Sequence, residues 1–218
     1  MMVEQSDNAK IVTHEGGSMD IVQLLYHPGS LPSIPRVLAL VLSEINRPEP
    51  DLMQISTQIG QDPVLTARVL ALANTAEHYR GRSVSTPAQA IAMLGIHQVR
   101  DMVLAASLSL SFKEVAEVPL HRYWRFGLNV AKTMRLLTRY RNLGPLPFTA
   151  GLLSSIGTLV IARGMPDAIR AVNAKTDLFA LERAETETQM IGYCYAHVGA
   201  GFVRHWRLGE ELASIIES

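Results

Sequence analysis

The chain has 218 residues, 20 Lys+Arg against 20 Asp+Glu, and 48% apolar against 18% charged residues. A chain of this length buries roughly 70% of the surface its unfolded form exposes, so it needs no disulfide or structural metal and suits one domain or two small ones. The apolar content excludes a disordered chain, and the neutral balance argues against a dedicated nucleic-acid binder, which carries a basic excess. Cys194 is the single cysteine and closes no internal disulfide, so the fold does not depend on an oxidising compartment. Residues 1–20 lack the basic start and apolar run of a secretory signal. The longest apolar stretch, Met102–Phe112, is too short to span a bilayer. These features describe a soluble, cytoplasmic protein with no membrane partner.

Residues 1–17 are polar, unpatterned and end in Gly16-Gly17, the composition of a flexible tail. From Ser18 the pattern is helical. Ile34, Val37, Leu38, Val41, Leu42 and Ile45 fall at helical spacing on one broad apolar face. Asp51 caps a short helix carrying Leu52, Ile55 and Ile59. Asp62-Pro63 starts another, with an N-cap oxygen followed by proline at the first helical position. Thr86-Pro87 repeats the device, and Gln89, three residues after Thr86, completes a capping box. That helix stops at Gly95, read as a left-handed C-terminal residue. A helix over about Gln98–Phe112, apolar on most sides, is the buried one. Pro119 separates two halves, about 18–118 and 119–218.

The second half opens with a long helix around Arg122–Tyr140 and the turn Asn142-Leu143-Gly144-Pro145. Further helices are predicted over Pro147–Arg163, from Pro166, near Leu178–Met190, and at about Ala196–Arg207, where Val198, Phe202, Val203 and Trp206 share a face. No alternating Val/Ile/Thr runs with hairpin turns occur, so the expected class is an all-α multi-helix bundle. No internal repeat is apparent.

Several segments then become recognisable: Leu31-Pro32-Ser33-Ile34-Pro35, Asp62-Pro63-Val64-Leu65-Thr66-Ala67-Arg68, Leu72-Ala73-Asn74, Ala90-Ile91-Ala92-Met93-Leu94-Gly95 and Val99-Arg100-Asp101-Met102-Val103-Leu104-Ala105. With Trp124, Gly151-Leu152-Leu153, Ile156-Gly157, Ala196-His197-Val198-Gly199 and Trp206, the chain from about residue 20 to 218 resembles an HDOD domain (HD-related output domain). The resemblance implies an all-helical fold, kinship with HD-type metal phosphohydrolases and a role in bacterial signalling output.

An HD hydrolase needs histidines and aspartates around a divalent ion that acidifies a water and polarises a phosphate. The resemblance places the adjacent His-Asp pair at Ser154 and Ser155, an earlier histidine at Phe126 and a later one at Tyr195. A further histidine pair is expected beyond Ser218. Phe126 shares a predicted face with Val130, Met134 and Leu137, taken as the core side, so it would fill the space of a ligand. No metal and no cofactor are expected.

Other features have plainer readings. His197 and His205 lie about 12 Å apart along one helix and cannot chelate one ion together. Arg125, Lys132, Arg135 and Arg139 fall within about an 80° sector of the long helix. Between His121 and Pro147 there are six Lys/Arg and no Asp/Glu. This stripe could contact a phosphate, a nucleotide or an acidic protein surface; as a solvated face it would be neutralised by Glu182, Glu185 or Glu187. Ile55–Val69 resembles a helix-turn-helix, but its second helix holds Arg68 as its one basic residue, so DNA binding is not expected. Ser154, Ser155 and Cys194 lack the surroundings of a nucleophile. The expectation is a non-catalytic signal-transduction output module that binds a regulatory protein. A divergent phosphodiesterase acting on a cyclic dinucleotide and a nucleotide-sensing module using the basic stripe are the alternatives.

Overall fold

The computed structural model describes residues 19–32, 36–45, 47–74, 83–138 and 146–218. The tail over 1–17, Ile34, the turn Asn142–Pro145 and Arg139 lie outside the described residues. Among those described the chain is helical without strands. In order the helices are α1 (Ile21–Tyr26), α2 (Arg36–Ile45), α3 (Leu52–Gly60), α4 (Pro63–Ala73), α5 (Pro87–Leu94), α6 (Ile96–Ser111), α7 (Leu120–Thr138), α8 (Leu146–Leu153), α9 (Ile156–Gly164), α10 (Pro166–Asn173), α11 (Arg183–Ile191), α12 (Tyr195–His205) and α13 (Glu210–Glu217).

Local chemistry sets most starts. The Asp51 carboxylate accepts the Met53 and Gln54 amides at 2.9 and 3.1 Å, and Asp62 accepts those of Val64 and Leu65, both at 2.9 Å. Each satisfies amides that a helix N-terminus leaves without a partner. Thr86 accepts the Gln89 amide at 3.2 Å, but the return arm of the expected capping box is shifted by one residue: the Gln89 carboxamide oxygen takes the Ser85 amide at 2.8 Å. Gly95 has φ +82 and ψ 159, positive as expected but extended rather than helical, because the same residue begins α6.

Helices α2 to α6 pack together, with Leu38, Val41, Ile55, Ile59, Val69 and Val99 buried between them. The buried α6 of the sequence reading is confirmed, with Val99, Val103, Leu104 and Leu108 in the core. In the second group α7 lies along α8, while α9 packs between α10 and α12, and α12 packs on α13. The groups join where α6 meets α8, and where Arg163 of α9 stacks 5.7 Å over Phe112. Helix α1 crosses over to pack against α9 and α12.

Three expectations are corrected. The single helix over Pro147–Arg163 is two, α8 and α9, broken by a turn at Ser154-Ser155. The reason is a backbone contact just beyond the turn: a Cβ at Gly157 would overlap the Tyr195 carbonyl and lie 2.7 Å from the Gly199 amide nitrogen. This broken stretch, Leu146–Gly164, is the one among the described residues long and apolar enough to cross a membrane, and most of it is buried in the fold. The helix placed at Leu178–Met190 starts at Arg183, after turns. Finally, the core side of α7 is centred on Tyr123, Gly127 and Ala131; of the face expected there, Val130 and Met134 are half-buried at its edge and Phe126 and Leu137 are exposed. Small residues decide it: a Cβ at Gly151 would lie 2.7 Å from Ala131 Cα, so α7 turns its smallest side chains towards α8.

Gly157→Ala should therefore destabilise the fold by on the order of 3 kcal/mol through overpacking. Gly60→Ala, with no atom within 4 Å of the added methyl, should be neutral or stabilising by up to about 1 kcal/mol. Urea unfolding of both variants against wild type checks the contrast.

Candidate functional site

The positions that the resemblance assigns to metal ligands gather around the α8–α9 turn, because α7 packs on α8 and α12 packs on α9. Phe126 is 36% exposed at the margin of α7 and stacks on Phe179, with ring centroids 4.2 Å apart. The Ser154 hydroxyl donates to the Gly151 carbonyl at 2.9 Å. The Ser155 hydroxyl is buried near the buried Tyr123 hydroxyl, and neither makes a hydrogen bond of good geometry among the described residues. Burial raises the Tyr123 pKa, and the Ser155 hydroxyl acts against that shift. Tyr195 opens α12, its carbonyl pressed against Gly157.

This donor set does not fit a divalent ion. It offers aromatic rings and neutral hydroxyls, one of them already donating within its own turn, where hard or borderline metals take carboxylates and imidazoles. Among the described residues no three His, Cys, Asp or Glu side chains converge on a point.

Beside this centre lies a buried polar tie that the sequence did not disclose. The Arg183 guanidinium donates to Glu187 at 2.8 Å and to Asn173 of α10 at 2.7 Å, while the second Glu187 oxygen takes the Tyr195 amide at 2.7 Å. Arg183 is 1% exposed and Glu187 0%. Burial pushes the Glu187 carboxyl above its ordinary value, opposed by Arg183 and by the Tyr195 amide. Glu187 is therefore no neutraliser of the basic stripe, contrary to expectation. Its i,i+4 spacing from Arg183 was the available signal, but such pairs are common on exposed helices.

A second buried tie joins the two helix groups. Asp101 of α6 accepts the Thr149 hydroxyl of α8 at 2.6 Å, with Arg100 3.6 Å away. Burial raises the Asp101 carboxyl above its usual value, against the pull of Thr149 and Arg100.

Of the basic stripe, Arg125, Lys132 and Arg135 are exposed, and the Arg135 guanidinium sits 5.0 Å over the Phe148 ring. Leu128 and Leu136 are exposed on the same helix. His205 packs edge-on against Tyr26. Cys194 and His197, distinct features in the sequence, meet: the thiol sulfur lies 3.3 Å from Nδ1. Arg68 of the helix-turn-helix-like pair donates to Ser109 of α6 at 2.6 Å.

The profile of the HDOD domain matches residues 31–218. No curated protein matches the chain. Among solved structures, a presumed phosphohydrolase from Shewanella amazonensis SB2B superposes with TM-score 0.78 at 29% identity over 90% of this chain and 70% of its own. An HDOD domain protein of unknown function from Geobacter sulfurreducens gives 0.74 and 25% over 86% of this chain and 64% of its own. A presumed signal transduction protein from Marinobacter aquaeolei VT8 gives 0.70 and 20%, over 86% of this chain and 43% of its own.

Two outcomes follow from the buried ties. Glu187→Gln strands the Arg183 cation and should cost roughly 3 kcal/mol, whereas the joint Arg183→Met, Glu187→Leu replacement should recover most of that in urea unfolding. For Asp101 the folded pKa exceeds the unfolded value of 3.8, so the folded state holds the proton more tightly. The stability this group contributes is complete below that value and is lost as pH rises through the folded pKa. Asp101→Asn removes this dependence, so the stability of the variant relative to wild type should rise as pH increases above about 4.

Proposed function

The chain belongs to the HDOD family, and from that premise we propose that it is a non-catalytic bacterial signal-transduction module that acts by protein contact through the outer face of α7. The observation that carries this reading is the composition of that face. Arg125, Leu128, Lys132 and Leu136 follow at i, i+3, i+7 and i+11, on the side of α7 turned away from α8. All four are exposed, and Arg135 borders them. Between Leu120 and Thr138 the helix carries four Lys/Arg and no acidic residue. Cations flanking exposed leucines suit an acidic, amphipathic protein surface, where charge steers the encounter and the apolar groups hold it. The donor set at Phe126, Ser154, Ser155 and Tyr195 supports the non-catalytic part of the reading.

The name of the Shewanella neighbour, a presumed phosphohydrolase, favours an enzymatic second reading, of which the form weighed from the sequence is a metal-dependent phosphodiesterase acting on a cyclic dinucleotide. That reading needs metal ligands other than those four residues. A third use of the α7 face, nucleotide sensing, would draw on the same cations.

The test pairs a metal assay with charge reversal. Protein incubated with Mn²⁺, Fe²⁺ or Zn²⁺ and desalted should retain far less than one ion per chain by elemental mass spectrometry. A stoichiometric ion with turnover of a phosphodiester would move the second reading to the front. Arg125→Glu, on the outward side of α7, should sharply weaken capture of whatever protein the wild-type chain binds, at unchanged melting temperature. Capture that survives reversal would remove α7 from the reading, and a nucleotide that raises the wild-type melting temperature would favour the third.

A further inference from the structure

Two surfaces of opposite charge border one another on this fold. Helix α7 carries no acidic residue, and its outward stripe of Arg125, Leu128, Lys132 and Leu136 is exposed. Helix α11 is the reverse. Its Arg183 and Glu187 are buried on each other, so its exposed charges are Glu185 and, at the residue before it starts, Glu182. The turn leading into α11 adds Asp177 and Lys175, which offset one another, and Leu181, which is 100% exposed.

The aromatic contact at Phe126 sets these surfaces side by side. Phe179 of the turn stacks on Phe126 with ring centroids 4.2 Å apart, and the Arg122 guanidinium lies 5.9 Å from the Phe179 ring. At about 100° per residue, Arg122 and Phe126 fall about 60° and 100° from Arg125, both on one side of the outward stripe. The acidic turn is therefore held along the edge of the basic face. The two do not pair within the chain. Among the described residues neither Glu182 nor Glu185 forms an ion pair, and Glu185 takes the Gln189 carboxamide at 3.1 Å. Adjacent patches of opposite sign are self-complementary under two-fold symmetry. An axis between them lays the basic face of one copy on the acidic turn of the other, and the reverse contact forms at the same time.

We propose that the partner of the α7 face is a second copy of this chain, in a two-fold dimer that sets Arg125 and Leu136 of each copy against Glu182, Glu185 and Leu181 of the other. The inference rests on the reading of α7 as a contact surface and names what it contacts. An unrelated acidic protein would satisfy α7 and leave Leu181 and the α11 carboxylates without a role; a second copy uses both surfaces. Contacts of this size and polarity give weak, charge-steered association, in the micromolar range.

Sedimentation velocity of the full chain at low salt, from low micromolar to several hundred micromolar, tests this. The mass should rise from one chain towards two, and the rise should shrink at high salt. Each charge reversal acts at both halves of a two-fold contact, so Arg125→Glu alone, or Glu182→Lys with Glu185→Lys, should weaken self-association at least about tenfold. Both variants should melt as wild type, since all three side chains are exposed. An equimolar mixture of the two variants should associate again, because each reversed surface then meets its opposite and the unreversed pair is intact. A wild-type chain that stays monomeric throughout, association unchanged by either reversal, or a mixture no tighter than its components would overturn the proposal. Capture of a different protein that Arg125→Glu weakens, by a chain that does not self-associate, would leave the α7 reading standing and remove this inference alone.

Discussion

Helices α9 and α12 meet through their backbones. At Gly157 there is no room for a Cβ against the Tyr195 carbonyl and the Gly199 amide, and at Gly151 there is none against Ala131 of α7. Interiors are packed to crystal-like density, so a contact that admits no methyl group leaves its neighbours little freedom of position. The α8–α9 stretch must bend before Gly157 to bring that glycine against α12, hence the turn at Ser154-Ser155. Helix α7 must present Gly127 and Ala131 to α8, which turns Arg125, Leu128, Lys132 and Leu136 outward. The outward face of α7 is thus a consequence of two close approaches elsewhere.

The same contacts shape the region to which the resemblance assigns metal ligands. Small residues draw α7 to α8 and α9 to α12, and the positions assigned to ligands hold a stacked phenylalanine, two serines and a tyrosine whose backbone is already engaged. Around them the charged groups that are buried tie one helix to another. Arg183, Glu187 and Asn173 connect α10, α11 and α12, and Asp101 with Thr149 joins α6 to α8. Such ties contribute less net stability than their Coulombic attraction suggests, because desolvation offsets it, but breaking one is costly.

A chain with no net charge still distributes its charge unevenly. The α7 face gathers Arg125, Lys132 and Arg135 beside exposed Leu128 and Leu136. It lies on a helix whose opposite side, at Tyr123, Gly127 and Ala131, is held in the core.

The sequence alone determined the helical class, most helix starts and the family. Those signals are short-range. An N-cap oxygen at Asp51 or Asp62 pairs with amides two or three residues away, and the apolar spacing of α2 and of α12 repeats every turn. Both survive in any tertiary setting, so both were legible. Which side of α7 is buried was not, because Phe126 and Leu137 are more hydrophobic than Gly127 and Ala131, yet stay exposed while those two are buried. The tertiary structure decided it through Gly151 and Ala131, residues of different helices whose approach no local pattern records. The break at Ser154-Ser155, the burial of Arg183 with Glu187, and the crossing of α1 to α9 and α12 have the same origin. Each depends on which surface a distant segment covers, and covering is a property of the packed chain, set by backbone contact and desolvation rather than by residue spacing.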